Sequence, residues 1–167
     1  MFKFCRVLTY IIWTICLVTA TQHWACATMY KARIEVMVDA TETVVFKFAS
    51  DFSSEVPVNS FSVVGQTNGE YDYQKPAWYL SIPPGSYKRI SRIRYGEDVD
   101  GFSRSKVQPL IEGRPYLAEL NGAGISESIE FELVRCSGKT VIRILPQASR
   151  RSSSRRPRPA CPTTSVP

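Results

Sequence analysis

Fifteen carboxylates, five cysteines and one histidine are the residues of this chain that could do acid–base, redox or metal chemistry. Their spacing decides how much of it is open. The one histidine, His23, falls in an apolar N-terminal stretch that reads as a leader, so the rest of the chain holds no imidazole. Ser–His and Cys–His nucleophilic pairs need that ring as a base, and histidine metal sites need it as a ligand; residues 28–167 offer neither. No glycine-rich phosphate cradle of either standard type is present. Glu130 and Glu132 stand two apart in IEFEL and share one face of a strand. That is the spacing of a solvated strand face, whereas a glycosidase pair sits at a set separation across a cleft. Glu97, Asp98 and Asp100 crowd the loop EDVDG and are the candidate calcium ligands. The loop lacks the spaced ligands and closing glutamate of an EF-hand. Cys136 and Cys161 lack the CxxC spacing of a redox or zinc site and form a candidate disulfide instead. No catalytic residue and no cofactor is expected.

The chemistry depends on where the mature chain starts. Lys3 and Arg6 precede an apolar run, Val7 to Val18, broken only by Thr9, Tyr10 and Thr14. The run has the length of a signal-peptide core and falls short of the ~20 residues that span a bilayer. Residues 1–27 are therefore expected to be a cleaved signal helix, with cleavage after Ala20 or Ala27. The alternative is an uncleaved anchor, the one route by which this chain would meet a membrane. Cys26 raises lipidation, but of the residues before it only Ala25 fits a lipoprotein leader, and His23 and Trp24 do not.

The net charge of +6 suggests nucleic acid, and its distribution argues against it. Lys3 and Arg6 belong to the leader, and Arg150, Arg151, Arg155, Arg156 and Arg158 belong to the C-terminal segment. Without these seven of the 21 cations, 14 face 15 acids, a net of −1 for residues 28–145. A phosphate-binding domain carries a net basic face, because counterion release drives its affinity. No nucleic-acid partner is expected.

Between the leader and the tail the apolar residues recur at period two. Ile34, Val36 and Val38 share a face, as do Val44, Phe46 and Phe48 after the turn DATE, which predicts a hairpin. Pro57 marks residues 51–59 as loop, and SFSVVG is a short strand closed by Asn68-Gly69. Trp78, Leu80 and Ile82 share a face, which assigns Trp78 to the core and leaves Tyr79 outside. Pro83-Pro84-Gly85-Ser86 fits a type II turn. The strand after it, Tyr87 to Tyr95, has Ile90 and Ile93 three apart. A regular strand would point them to opposite faces, so either both faces are covered or a bulge near Ser91 shifts the register. Later strands are read from Tyr116, Ala118 and Leu120, and from Ile129, Phe131 and Leu133. A last strand, TVIRIL, is apolar on both faces and is predicted to be central.

About seven or eight strands with frequent turns predict an all-β fold, an antiparallel β-sandwich or small barrel over residues 28–146. Residues 147–167, QASRRSSSRRPRPACPTTSVP, hold little to bury and are expected to be a disordered basic tail. Gly-x-x-Tyr at Gly113 and Tyr116, with Pro84, Gly85 and Tyr87 before it, resembles small secreted bacterial β-sandwich modules of the prealbumin-like or carboxypeptidase-regulatory kind. The resemblance implies an Ig-like or prealbumin-like sandwich in a periplasmic or extracellular setting and carries over no catalytic residue.

Aromatic side chains are the surplus: Tyr71, Tyr73 and Tyr79 lie at strand edges or on the polar parity. Rings there bury area at low entropy cost, on a protein or a sugar. With the cationic strand residues Lys88, Arg92 and Arg94 they make the candidate partner-binding surface. The expected function is a secreted or periplasmic non-catalytic binding or structural protein of the cell envelope. The alternative is a carbohydrate-binding module using its tyrosines.

Overall fold

A computed structural model describes residues 31–146, and in that range the chain is all-β, with two antiparallel sheets. The leader, its cleavage sites, His23, Cys26 and the tail with Cys161 lie outside the described residues.

The first two strands, β1 (Ala32–Val38) and β2 (Val44–Ser50), form the hairpin that the alternation predicts. Ile34 faces Phe48, Val36 faces Phe46 and Val38 faces Val44, so one side of the pair is uniformly apolar. Asp39 closes the turn: its Oδ1 accepts hydrogen bonds from Thr41 N–H at 2.9 Å, Thr43 N–H at 3.0 Å and Thr41 Oγ1 at 2.6 Å. These donors, the Thr41 hydroxyl first, hold the Asp39 carboxyl below its ordinary value of 3.8, with Arg94 adding to the effect. The carboxylate therefore stabilises the fold fully above its unfolded pKa, and that contribution is lost as pH falls through the lower folded value. Asp39→Asn is expected to lower the urea midpoint at neutral pH. The gap from wild type should close as pH falls below about 4. A gap that stays constant over that range would rule out the carboxylate as its source.

A long strand, β3 (Val56–Thr67), is the axis of the larger sheet. It starts earlier than the sequence predicts and includes Pro57. Proline is tolerated there because it falls at a strand start, where a missing N–H costs little. The register on its neighbour shifts between Val58 and Ser60, so Asn59 is bulged out and Val58 and Phe61 both face inward despite lying three apart. The short strand β4 (Glu70–Tyr71) folds back on its end, and β5 (Trp78–Ser81) pairs with its middle.

The turn after β5 is as predicted: Ser86 N–H donates to Pro83 O at 3.1 Å, and Gly85 sits at φ +81°, where a side chain would be strained. The segment that follows is two strands, β6 (Lys88–Ile90) and β7 (Arg92–Arg94), and they lie in different sheets. β6 pairs with β3, and β7 pairs with β2. The chain crosses from one sheet to the other at Ser91, whose carbonyl accepts from Phe48 N–H at 2.7 Å. This resolves the spacing of Ile90 and Ile93. Each is regular in its own sheet, and the crossover turns both inward.

Four more strands complete the fold: β8 (Ser103–Arg104), β9 (Pro115–Gly122), β10 (Ile125–Cys136) and β11 (Lys139–Leu145). The small sheet runs β1-β2-β7 and the large one β11-β10-β9-β3-β5-β8, with β4 and β6 also on β3. TVIRIL, predicted to be central, is instead the edge of the described sheet, and Ile144 is half exposed. Its apolar residues on both parities do not require a neighbour on both sides. One parity packs inward through Ile142, and the other buries Leu145 against the large sheet's far face.

The two sheets share one core. Phe46 of the small sheet meets Phe61 and Phe131 of the large one edge-on, at centroid distances of 4.9 Å and 5.8 Å. Trp78 lies in that core as its parity predicts, fully buried between Phe61 and Tyr95. Burial raises the Tyr95 phenol well above its ordinary pKa, with Tyr116 adding to the shift, and its hydroxyl donates to Gln108 O at 2.7 Å.

Candidate functional site

The large sheet turns one face to the core and the other away from it. Pairing places side chains on that outer face in rows. Tyr79 stands beside Ser62, then Glu119, then Ser128. The next row is Val64, Leu117, Glu130 and Leu145. Tyr71 pairs with Gln66 and so shares the parity of Ser62 and Val64. Tyr73, in the turn after β4, reaches back over the same face and donates from its hydroxyl to Glu119 Oε1 at 3.3 Å. Tyr73 and Tyr79 are exposed.

The three tyrosines named from the sequence are thus brought to one face by three different segments: the short hairpin partner β4, the turn behind it and the strand β5. The cationic residues are not brought to it. Arg92 and Arg94 lie on the outer face of the small sheet, across the core. There Arg92 stands in a row with Lys47 and Glu35, and Arg94 Nε meets Asp39 Oδ2 at 3.3 Å. Lys88 belongs to the large sheet and is tied to Asp100, with Nζ 2.9 Å from Oδ2 and 2.7 Å from the backbone oxygen. The six predicted surface residues therefore form no single patch, because the sheet crossover at Ser91 separates Lys88 from Arg92 and Arg94.

The acidic loop is also dispersed. Glu97 accepts from Arg94 N–H at 2.8 Å, Asp98 pairs with Arg104 at 2.7 Å and Asp100 pairs with Lys88. Lys88 holds the Asp100 carboxyl below its ordinary value by hydrogen bond and charge. Among the described residues no group of three or more His, Cys, Asp or Glu side chains is placed to hold a metal ion. Cys136 takes part in a disulfide; its predicted pairing with Cys161 falls outside the described residues.

Glu130 and Glu132 depart most from the sequence reading. Neither is solvated; each is 3% exposed. Glu132 forms an ion pair with Arg143, its cross-strand neighbour on β11. The outer face is therefore a buried acidic and apolar centre, Val64, Leu117, Glu130 and Glu132, with exposed tyrosine rings on one flank. Both carboxylates stand on one face of one strand, β10. They do not oppose each other across a cleft, which is the arrangement acid–base chemistry on a bond would use.

Sequence reasoning missed one feature. An open groove of about 340 Å³ lies where the two sheets meet, lined among others by Phe52, Pro57, Tyr87, Arg89 and Ile125. Phe52 and Tyr87 are exposed there. The available signal was a phenylalanine inside an otherwise polar loop, DFSSE. Compared with known proteins, the chain matches no family model, no curated protein and no solved structure.

Proposed function

We propose that the chain is a secreted or periplasmic, non-catalytic β-sandwich of the Ig-like or prealbumin-like kind. In this reading it binds a protein partner, or assembles at the cell envelope, through the outer face of its large sheet. The observation that carries this is that Tyr71, Tyr73 and Tyr79 share one face, with Tyr73 bonded to Glu119 and Tyr79 in the Glu119 row. Tyrosines supply large rigid contact area with a polar tip, and a sheet face with a desolvated centre suits a macromolecule better than a small ligand. The sandwich reading draws support from Phe46, which packs against rings of the facing sheet, and from Tyr116. The buried Tyr116 hydroxyl accepts from Ile111 N–H, five residues upstream, at 2.8 Å. That back-bond has the geometry of the tyrosine corner of Greek-key sandwiches.

Two double variants test the face. Tyr73→Ala with Tyr79→Ala should lose, by about tenfold, the proteins that wild type captures from envelope extract. Arg92→Ala with Arg94→Ala, on the other face, should retain them. Equal capture by both would exclude the tyrosine face. The groove at Phe52 and Tyr87 favours a second reading, carbohydrate binding, since rings beside Arg89 and Glu55 match the stacking and hydrogen-bonding needs of a sugar. A glycan array on wild type and Tyr87→Ala decides it, and an array without a hit removes that reading.

A further inference from the structure

Val64, Leu117, Val134 and Leu145 are all buried, Val64 and Leu117 to 1% exposure, yet none belongs to the core cluster between the sheets. They stand on the large sheet's outer face with Glu130 and Glu132, on the side away from the small sheet. A sheet face left to water does not bury valine and leucine to this extent. We infer that the basic C-terminal segment of this same chain, residues 147–167, docks on that face.

Three observations select this occupant. The first is position. Leu145, the last residue of β11, is itself on the outer face, in the row with Glu130, Leu117 and Val64. The chain therefore leaves the sheet at the edge of the patch. Crossing from Leu145 to Val64 takes three strand spacings, roughly 15 Å, which about five extended residues span. Arg150 and Arg151 lie at that distance along the chain, and 16 residues follow Arg151.

The second is charge. The segment carries five arginines and no acid, whereas the face carries Glu119, Glu130 and Glu132, with Arg143 beside Glu132. The third is shape. An arginine stem covers apolar surface while its guanidinium fork meets a carboxylate, so one residue type serves both the valine–leucine centre and the glutamates. The tail's own sequence has nothing to bury, and the sheet supplies the apolar surface. Tethering makes the encounter intramolecular, so weak contacts suffice. The inference does not need the face to bind anything else. If the tyrosine face does take a partner, that partner must share it with the tail or displace it.

The test uses the full-length chain. A photo-reactive amino acid replacing Ser153 should cross-link within the same molecule, to peptides containing Val64, Leu117 or Glu130–Val134. Trypsin cleavage after Arg150, Arg151 and Arg155 should be about tenfold slower than in a free peptide of residues 147–167, the effect of one charge-assisted hydrogen bond. Glu130→Gln, or raised salt, should restore the peptide's rate. Cross-links to residues preceding β1, to a second copy or to another protein would give the face a different occupant and overturn the inference. So would cleavage as fast as in the peptide. The cross-link is read on the chain with Glu130 intact, so misfolding of the Gln variant does not remove the test.

Discussion

Gly122→Ala should destabilise the fold by ~3 kcal/mol or more. Gly122 ends β9 opposite Val58, at the place where Asn59 bulges from β3. A Cβ there would overlap the carbonyl oxygen of Pro57 and lie 2.8 Å from its carbonyl carbon. The obstacle is backbone, so no rotamer change relieves it, and the two strands must separate at the bulge. Gly85→Ala is the control. Gly85 needs positive φ, but a Cβ there meets nothing within 4 Å, so the cost is backbone strain alone, about 1 kcal/mol. Urea unfolding of both variants measures the difference. If Gly122→Ala lost no more than Gly85→Ala, the close approach of β3 and β9 at Pro57 would be refuted.

Phe46→Ala is expected to cost about 4 kcal/mol, the usual range for deleting a fully buried ring. That is a large share of the ~5–15 kcal/mol that holds a domain of this size. Phe46 is fully buried and contacts Phe61 of β3 and Phe131 of β10, so its removal opens a cavity at the contact between the sheets. Phe46→Leu keeps most of the volume and should lose less than half as much. A thermal midpoint within about 3 °C of wild type for Phe46→Ala would mean that the sheets do not depend on this ring, and would count against a shared core.

The stable scaffold and the candidate binding face use different parities of the same strands. In β10, Phe131 and Leu133 serve the core while Glu130 and Glu132 serve the outer face. In β5, Trp78 and Leu80 are core and Tyr79 is outside. Substitutions on the tyrosine face can therefore change binding without reaching the core, which is what makes the double-variant comparison readable.

Alternation revealed the β1–β2 hairpin, the core position of Trp78 and the exposure of Tyr79, and turn residues revealed the type II turn at Gly85. Each depends on contacts within a few residues or on the period-two geometry of the strand itself, and local sequence carries that information. The spacing of Ile90 and Ile93 signalled a break in regular pairing, but not its kind. A bulge and a change of sheet leave the same three-residue spacing, and only the partners, β3 for Lys88–Ile90 and β2 for Arg92–Arg94, distinguish them.

The tertiary structure decided which distant residues share a surface. Tyr79 and Glu119 fall in one row because β3 lies between β5 and β9, and Tyr73 reaches Glu119 from the turn behind β4, an order no spacing records. Arg92 and Arg94 leave Lys88 because the chain changes sheets between them. Glu130 and Glu132 read as solvated because glutamates at alternate positions usually face water. Their burial depends on what lies above the strand, and period two assigns a residue to a side of a sheet without saying whether that side is wet. Sequence by itself determined the pleat, the turn at Gly85 and the inward set of strands whose alternation is unbroken, such as β1, β2 and β5, since these are local. Which outward set became a buried, tyrosine-flanked face was decided by strand order, which is non-local.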